Sequence, residues 1–372
     1  MELFVVASGE EFDRIQSQWD ALVKKLNPVP LPLTHSWLRS WWDAFSGDMI
    51  MEFRCLYKDK VLVGAAPLVR IQERYRGIPV TLLKLAANGH SPYSSIIVDS
   101  SLTAAERDEA LLALTSVGAK EIGLFFKIGQ ESDLERFLMD SSKLGHKRIG
   151  EKPSIRTPIV NIDQSWQDFY RSRPRSLRKN INNKLNRLKK VGDFCIQHEN
   201  IVSVDQPILD ELVAISAQSW KSAIGNDLKS NQKSHRFLFN LVNAFGKSGS
   251  LSAWIARCDG QPIAYELHLV HDDVVYPIRA DFDQAFKALS PGSVLEYSAL
   301  RSLFEEGVYR QYYTCADDYW YLTNWTSNCR KFCSVEVFGD SFKLRALYWL
   351  EYRLIPLIKR VIKPEKKKRH SV

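Results

Sequence analysis

Apolar positions along the 372-residue chain recur with two periods, and the two alternate. Spacing of two predicts strands; spacing of three to four predicts helices. The first half opens with a strand at Leu3–Val6 and a helix from Glu10 to Leu26. In PLTHSWLRSWWDAF, Trp37, Leu38, Trp41, Trp42 and Phe45 mark a second helix. Two strands joined by a tight turn follow, MEFRCLY-KDK-VLVGAAPLV. A strand (Ser94–Val98), a helix (Ala104–Val117), a strand (Glu121–Phe126) and a helix from about Ser132 to Lys143 complete the half.

The second half repeats this plan. A strand at Thr157–Asn161 precedes a helix over Trp166–Lys190, and helices follow at Pro207–Ser219 and Lys233–Ser248. Three strands then come with very short turns: LSAWIARC, Asp259-Gly260, PIAYELHLV, His271-Asp272-Asp273, VVYPIRAD. Asp-Gly between alternating runs signals a hairpin. A strand at Tyr309–Thr314, a short helix and a strand at Ser334–Phe338 end the half. The expected fold is α/β of the α+β kind. It has two tandem units, residues 1–150 and 151–341, each a mostly antiparallel mixed sheet flanked by helices. A basic amphipathic segment at 342–372 closes the chain.

Charge sharpens this picture. The net charge of +8 is carried by two segments. Residues 171–190 hold nine Lys/Arg and no acid, and residues 343–372 hold ten Lys/Arg and two acids. The remainder has 32 basic and 41 acidic residues, a net of −9. Nine uncompensated charges in twenty residues exceed what solvation of a helix requires and should attract a polyanion. Arg171, Arg175 and Arg178 fall on one helical face. The N-terminus has acids where an export signal has bases, and no run of apolar residues is long enough to span a membrane. The expected setting is therefore cytoplasmic, with the six scattered cysteines as free thiols and no metal site.

Between the three-strand meander and the apolar helix after it stands a bare turn, Ser290-Pro291-Gly292-Ser293, followed by Val294. A helix start offers unpaired N–H groups and the positive end of its dipole, and small residues let an anion approach them. The same four residues are also a sound ordinary turn and cap. On the central meander strand, Glu266 and His268 share one face, opposite Tyr265, Leu267 and Leu269. That pair can take a proton from an amine, or simply be a solvated sheet face.

Four stretches resemble the GNAT acyltransferase superfamily, and within it the CelD-like branch associated with bacterial polysaccharide synthesis. They are FYRSRPRSLRKNINNKLNRLKKVGD, AQSWKSAIGNDL, FDQAFKALSPGSVLEYSALRSLFEEG and CADDYWYLTNW. In the last, Asp318, Tyr321 and Trp325 fit the branch, whereas Asp317 replaces the usual Gly and Leu322 the usual Lys. The resemblance covers about residues 155–340; the first half matches in layout and in THSWLRSWWDAF.

The resemblance implies direct acyl transfer from acetyl-CoA or another acyl-CoA to a small-molecule or glycan amine. Ser290, Pro291, Gly292, Ser293 and Val294 would receive the pyrophosphate, and Arg175 and Arg178 the further phosphates. Glu266 or His268 would remove the amine proton, and Tyr321 would protonate the leaving thiolate. Trp220, Lys221, Asp281 and Asp318 are candidates for the acceptor pocket; each is also readable as a core, turn or cap residue. The first half is expected to lack a cofactor site of its own.

Two other readings stand beside this one: a non-catalytic accessory protein, and an aminoacyl-tRNA-dependent transferase of the FemAB-like kind using the basic helix on tRNA. The tail, with Lys366, Lys367, Lys368 and Arg369 after a mixed aromatic and basic stretch, fits a peripheral contact with an anionic membrane.

Overall fold

The computed structural model describes residues 1–145 and 147–362. Among these, thirteen strands make one sheet. They are β1 (Glu2–Val6), β2 (Ile50–Lys58), β3 (Val61–Tyr75), β4 (Ile78–Leu85), β5 (Ile97–Val98), β6 (Glu121–Gly129), β7 (Arg148–Asn161), β8 (Phe194–Asn200), β9 (Leu251–Cys258), β10 (Gln261–His271), β11 (Val274–Phe282), β12 (Gln311–Tyr313) and β13 (Cys329–Phe338). Their order is β1-β2-β3-β4-β6-β13-β7-β12-β11-β10-β9-β8, with β5 beside β3. The late strand β13 lies between β6 and β7, so a C-terminal strand completes the N-terminal half of the sheet.

The junction expected near Gly150 is thus no linker. It lies inside β7, which pairs with both β13 and β12. A Cβ at Gly150 would fall 2.0 Å from Cζ of Tyr352, so only glycine lets that ring lie on the strand. The halves also share a core. Helix His35–Phe45 packs on helix Gln232–Phe245, with Trp37 and Phe237 edge to face at 5.2 Å. The Asn240 side-chain amide donates to the Ser40 carbonyl at 3.1 Å.

Local rules explain most departures from the expected elements. The helix expected over Trp166–Lys190 is two helices, Trp166–Ser172 and Arg175–Val191. Pro174 between them has no N–H, and the residue before it is extended, as a pre-proline residue prefers. The first helix is likewise split at Ile15 into Gly9–Arg14 and Gln16–Val23. Strand Ser94–Val98 shrinks to β5. Two strands carried too weak a period to be read: β4, returning from β3 through Arg76-Gly77, and the exposed edge strand β8. The meander turns are as expected. Asp259-Gly260 and Asp272-Asp273 all take positive φ, as tight hairpin turns demand.

After β13 the chain forms helix Phe342–Trp349, a π-helical turn at Leu350–Leu354 and helix Ile355–Ile362. The irregular turn sits just before Pro356, whose ring cannot continue a regular ladder. Leu344 and Leu347 pack on Val80, Leu82, Ile122 and Phe338. Arg76 pairs with Glu351. The basic residues Lys366 to Arg369 lie outside the described residues.

Candidate active site

Strand β10 positions the first carboxylate. Its alternation sends Tyr265, Leu267 and Leu269 into the core shared by the two halves, and Glu266 and His268 to the opposite face. There the pair is buried, with Glu266 Oε1 2.7 Å from His268 Nε2. The Tyr312 hydroxyl of β12 donates to the same oxygen. Burial and the neighbouring carboxylates keep that hydroxyl protonated far above its ordinary range.

The helix after the bare turn, Pro291–Glu306, packs over this face. Val294, Leu295, Ala299, Leu300 and Leu303 are its apolar stripe, and Glu296 lies within that stripe. Glu296 is 8% exposed. Burial, and then the charge of Glu266, push its carboxyl up to about 8. Two carboxylates close together in a dry site cannot both ionise cheaply, so Glu296 is poised to exchange a proton near neutral pH.

Glu296 lines a cavity of about 260 Å³. Ser176, Asn180 and Lys184 of the basic helix form one wall, Ser293 and Glu296 a second, and Tyr321 and Trp325 a third. Burial pushes the Tyr321 hydroxyl up to about 12, so it carries its proton at neutral pH. Lys184 Nζ donates to Ser293 Oγ at 2.9 Å and ties the basic helix to the turn. Burial lowers the Lys184 ammonium, while Glu296 acts against this.

The bare turn is built as follows. Ser290 takes the left-handed conformation at φ 54°, and Pro291 is the first helical residue. A Cβ at Gly292 would meet only Phe282, at 3.9 Å, so space above the turn is open. Pro291 has no N–H, and the Ser293 N–H bonds to the Ser290 carbonyl at 3.2 Å. Fewer amides are therefore free than a helix start usually offers. Val294 is buried in the core and has only its backbone to offer.

The other residues singled out in the sequence are scattered. Arg175 is exposed and Arg178 half-buried, and neither lines the cavity. Leu177, Ile181 and Leu188 bury one stripe of the helix, and Ser176, Asn180 and Lys184 face the cavity, while Arg175 points to solvent and Arg178 has its Nε buried outside the cavity. Asp281 lies on the Tyr265 face of the sheet, away from Glu266. Lys221 Nζ is 2.6 Å from its Oδ1 and Arg279 Nε 2.8 Å from its Oδ2, and the Tyr265 hydroxyl donates to it at 2.7 Å. Asp281 is thus the hub of a buried ion-pair network, with Trp220 exposed beside it. Asp318 is at the surface, 3.7 Å from Arg156.

Sequence reading missed Glu296, Lys184 and Tyr312, and had Trp325 only as a motif position. Glu296 did leave a signal: an acid on the apolar stripe of an amphipathic helix, which burial makes costly unless it serves a purpose.

Comparison with known proteins bears on this site directly. Residues 175–321 match a family described as the acetyltransferase (GNAT) domain. That stretch is a GNAT acetyltransferase domain. It contains the basic helix, the meander, the turn, Glu266 and Glu296, and marks the protein as an N-acyltransferase. Comparison with curated protein sequences gives no match.

Among solved structures, the chain is similar to the C-terminal domain of a putative lysylphosphatidylglycerol synthetase from Agrobacterium fabrum. Identity is 13%, coverage 95% of this chain and 97% of that one, and the TM-score 0.53. It is also similar to FemX, at 12% identity, covering 94% of this chain and all of the other, with a TM-score of 0.53. L-PGS from Bacillus licheniformis gives 12% identity, 93% and 97% coverage and a TM-score of 0.51. At such identities the likeness is one of fold. It runs over both halves, which share one large mixed sheet flanked by helices.

Proposed function

We propose that the GNAT domain transfers an acyl group from an acyl-CoA to an amine, with Glu296 as general base. The observation that carries this reading is a carboxyl raised to about 8 in the wall of a cavity beside the open turn. A general base works best when its pKa lies near the working pH. The acceptor ammonium loses its proton to Glu296, directly or through one water, and the neutral amine attacks the thioester carbonyl. The C–N bond forms, the C–S bond breaks, Tyr321 supplies the proton to the thiolate, and the second proton, shed by the nitrogen as it becomes an amide, returns to Tyr321. Glu266 acts from behind. Held by His268 and Tyr312, it raises Glu296 and does not touch the substrates.

The cavity is below the roughly 300–1,000 Å³ of a pocket for a whole drug-sized ligand. It suits the thioester end of a long donor whose phosphates stay outside, near Lys184, the open turn and the basic helix. In keeping with the CelD-like resemblance, the acceptor is an amino sugar or amine of envelope polysaccharide synthesis.

A second donor class is favoured by one observation: Arg171, Arg175, Lys179, Arg187, Lys189 and Lys190 are all exposed on the basic segment. Such a face also fits an aminoacyl-tRNA. Separate titrations of acetyl-CoA and tRNA decide between them. Saturable acetyl-CoA binding that Gly292→Asp weakens supports the acyl-CoA reading. Saturable tRNA binding with no acetyl-CoA binding replaces it, and neither makes the protein an accessory factor.

We further propose peripheral contact with anionic membrane through the C-terminal helices, which expose Phe342, Trp349, Leu357 and Ile358. No helix among the described residues is long and apolar enough to cross a membrane.

A further inference from the structure

Lys127 is a buried cation that the transfer mechanism does not use. It lies on β6 at a bulge. Cys333 faces Ile128 and Val335 faces Phe125, so Phe126 and Lys127 together oppose Ser334. Lys127 adopts φ 51°, a left-handed backbone that costs a non-glycine residue energy, and its N–H bonds to Ser334 Oγ at 3.1 Å. Bulges of this kind re-aim a side chain.

The re-aimed side chain is 7% exposed. Among the described residues it makes no ion pair and no side-chain hydrogen bond; the carboxylate acting on it most, Asp317, is at the surface beyond ion-pair distance. Burial lowers its pKa.

Its surroundings are aromatic, with a second cation beside them. Lys127 Nζ stands 5.9 Å from the Phe332 ring centroid, and the Arg330 guanidinium 5.6 Å from that of Tyr93. Phe332 and Tyr93 are stacked at 5.9 Å. Arg330 is exposed and also makes no ion pair among the described residues. The Tyr313 hydroxyl is buried in the same cluster without a hydrogen-bond partner of good geometry.

The cluster adjoins the place where a ladder of the sheet ends. The parallel strands β11 and β12 are paired only at Val274/Gln311 and Val275/Tyr312. Beyond that, β12 ends and the chain turns at Cys315, with φ 57°. Tyr312 faces Glu266, while Tyr313 faces the Lys127 cluster. Cys315 stands between the two sides, near enough to both Lys127 and Glu266 for each charge to act on its thiol. Burial pushes that thiol up to about 12, so it is no nucleophile.

We infer that Lys127 and Arg330 form the specificity end of the acceptor subsite, and that the acceptor is an anionic amine whose carboxylate or phosphate pairs with them. From there its amine is directed past the end of the β11–β12 ladder toward Glu296. The inference rests on the transfer reading for the direction of the amine, not for the anion site itself.

The test uses the full chain titrated with inorganic phosphate and, separately, acetate at constant ionic strength, followed by intrinsic fluorescence and thermal shift. The expected result is saturation by at least one probe in the wild type. Binding should weaken at least about tenfold in Lys127→Met and less in Arg330→Gln. Which probe saturates tells phosphate from carboxylate. Lys127→Met keeps the apolar stem and removes an unpaired charge, so it should melt no lower than wild type, and it should bind acetyl-CoA unchanged. If neither probe saturates the wild type, or both bind Lys127→Met equally well, the inference is overturned. A wild type that binds the anion but not acetyl-CoA would instead sink the transfer reading and leave this site standing.

Discussion

The two faces of β10 bury charge in opposite ways. Under Tyr265, the single carboxylate Asp281 meets two cations and a hydroxyl, and both its oxygens face a charged partner. Under Glu266, two carboxylates share a site with a histidine, a tyrosine and the more distant Lys184, and cations are short. A carboxylate saturated with cations serves as architecture. A carboxylate left short of them is pushed toward neutrality and can move a proton. The same strand, with period two, supplies both.

The largest effect that sharpens this contrast is on catalysis. Glu296→Gln should lower kcat about a hundredfold to ten-thousandfold with acetyl-CoA affinity nearly unchanged, as steady-state kinetics with separate binding measurements will show. Retained turnover would remove Glu296 from the reaction. Asp281→Ala should act on the fold instead. It strands Lys221 and Arg279 without their carboxylate and should cost roughly 3–5 kcal/mol in urea unfolding. If it depresses turnover and spares stability, Asp281 belongs to the site after all.

Next in size, Gly292→Asp places a charge in the open space above the turn. It should weaken acetyl-CoA binding by about tenfold or more; equal binding would put the phosphates elsewhere.

The pH dependence is subtler. The rate should fall as pH drops below about 8, where Glu296 is protonated. Glu266→Gln removes one of the two causes of that elevation, so the limb should move to lower pH. The sign for stability runs the other way. Glu296 holds its proton up to about 8 in the fold but titrates near 4.5 when unfolded. Its contribution is thus fully present below 4.5 and lost as pH rises through 8. Glu296→Gln should therefore gain stability over wild type above pH 8, in denaturant titrations at several pH values.

The smallest effect concerns the C-terminus. Pelleting with anionic liposomes at low salt should drop when residues 353–372 are removed, since each basic group near the surface contributes about 1 kcal/mol. Equal pelleting of both forms would clear the segment of a membrane role.

Local pattern alone determined much of this protein. Asp259-Gly260 and Asp272-Asp273 close the meander because few residues tolerate positive φ. The helix begins at Pro291 because proline suits a first turn, and alternation alone puts Glu266 beside His268. These depend on neighbours a few residues away. Only the tertiary structure decided that β7 and β13 weld two halves into one sheet, that Lys184 rather than Arg175 faces the cavity, and that Lys127 is turned inward. It alone made Glu296, rather than Glu266, the carboxyl in the cavity wall. The reason is that desolvation and Coulomb interaction act through space: Glu296 is set by a carboxylate 30 positions away, and no period along the chain records that distance.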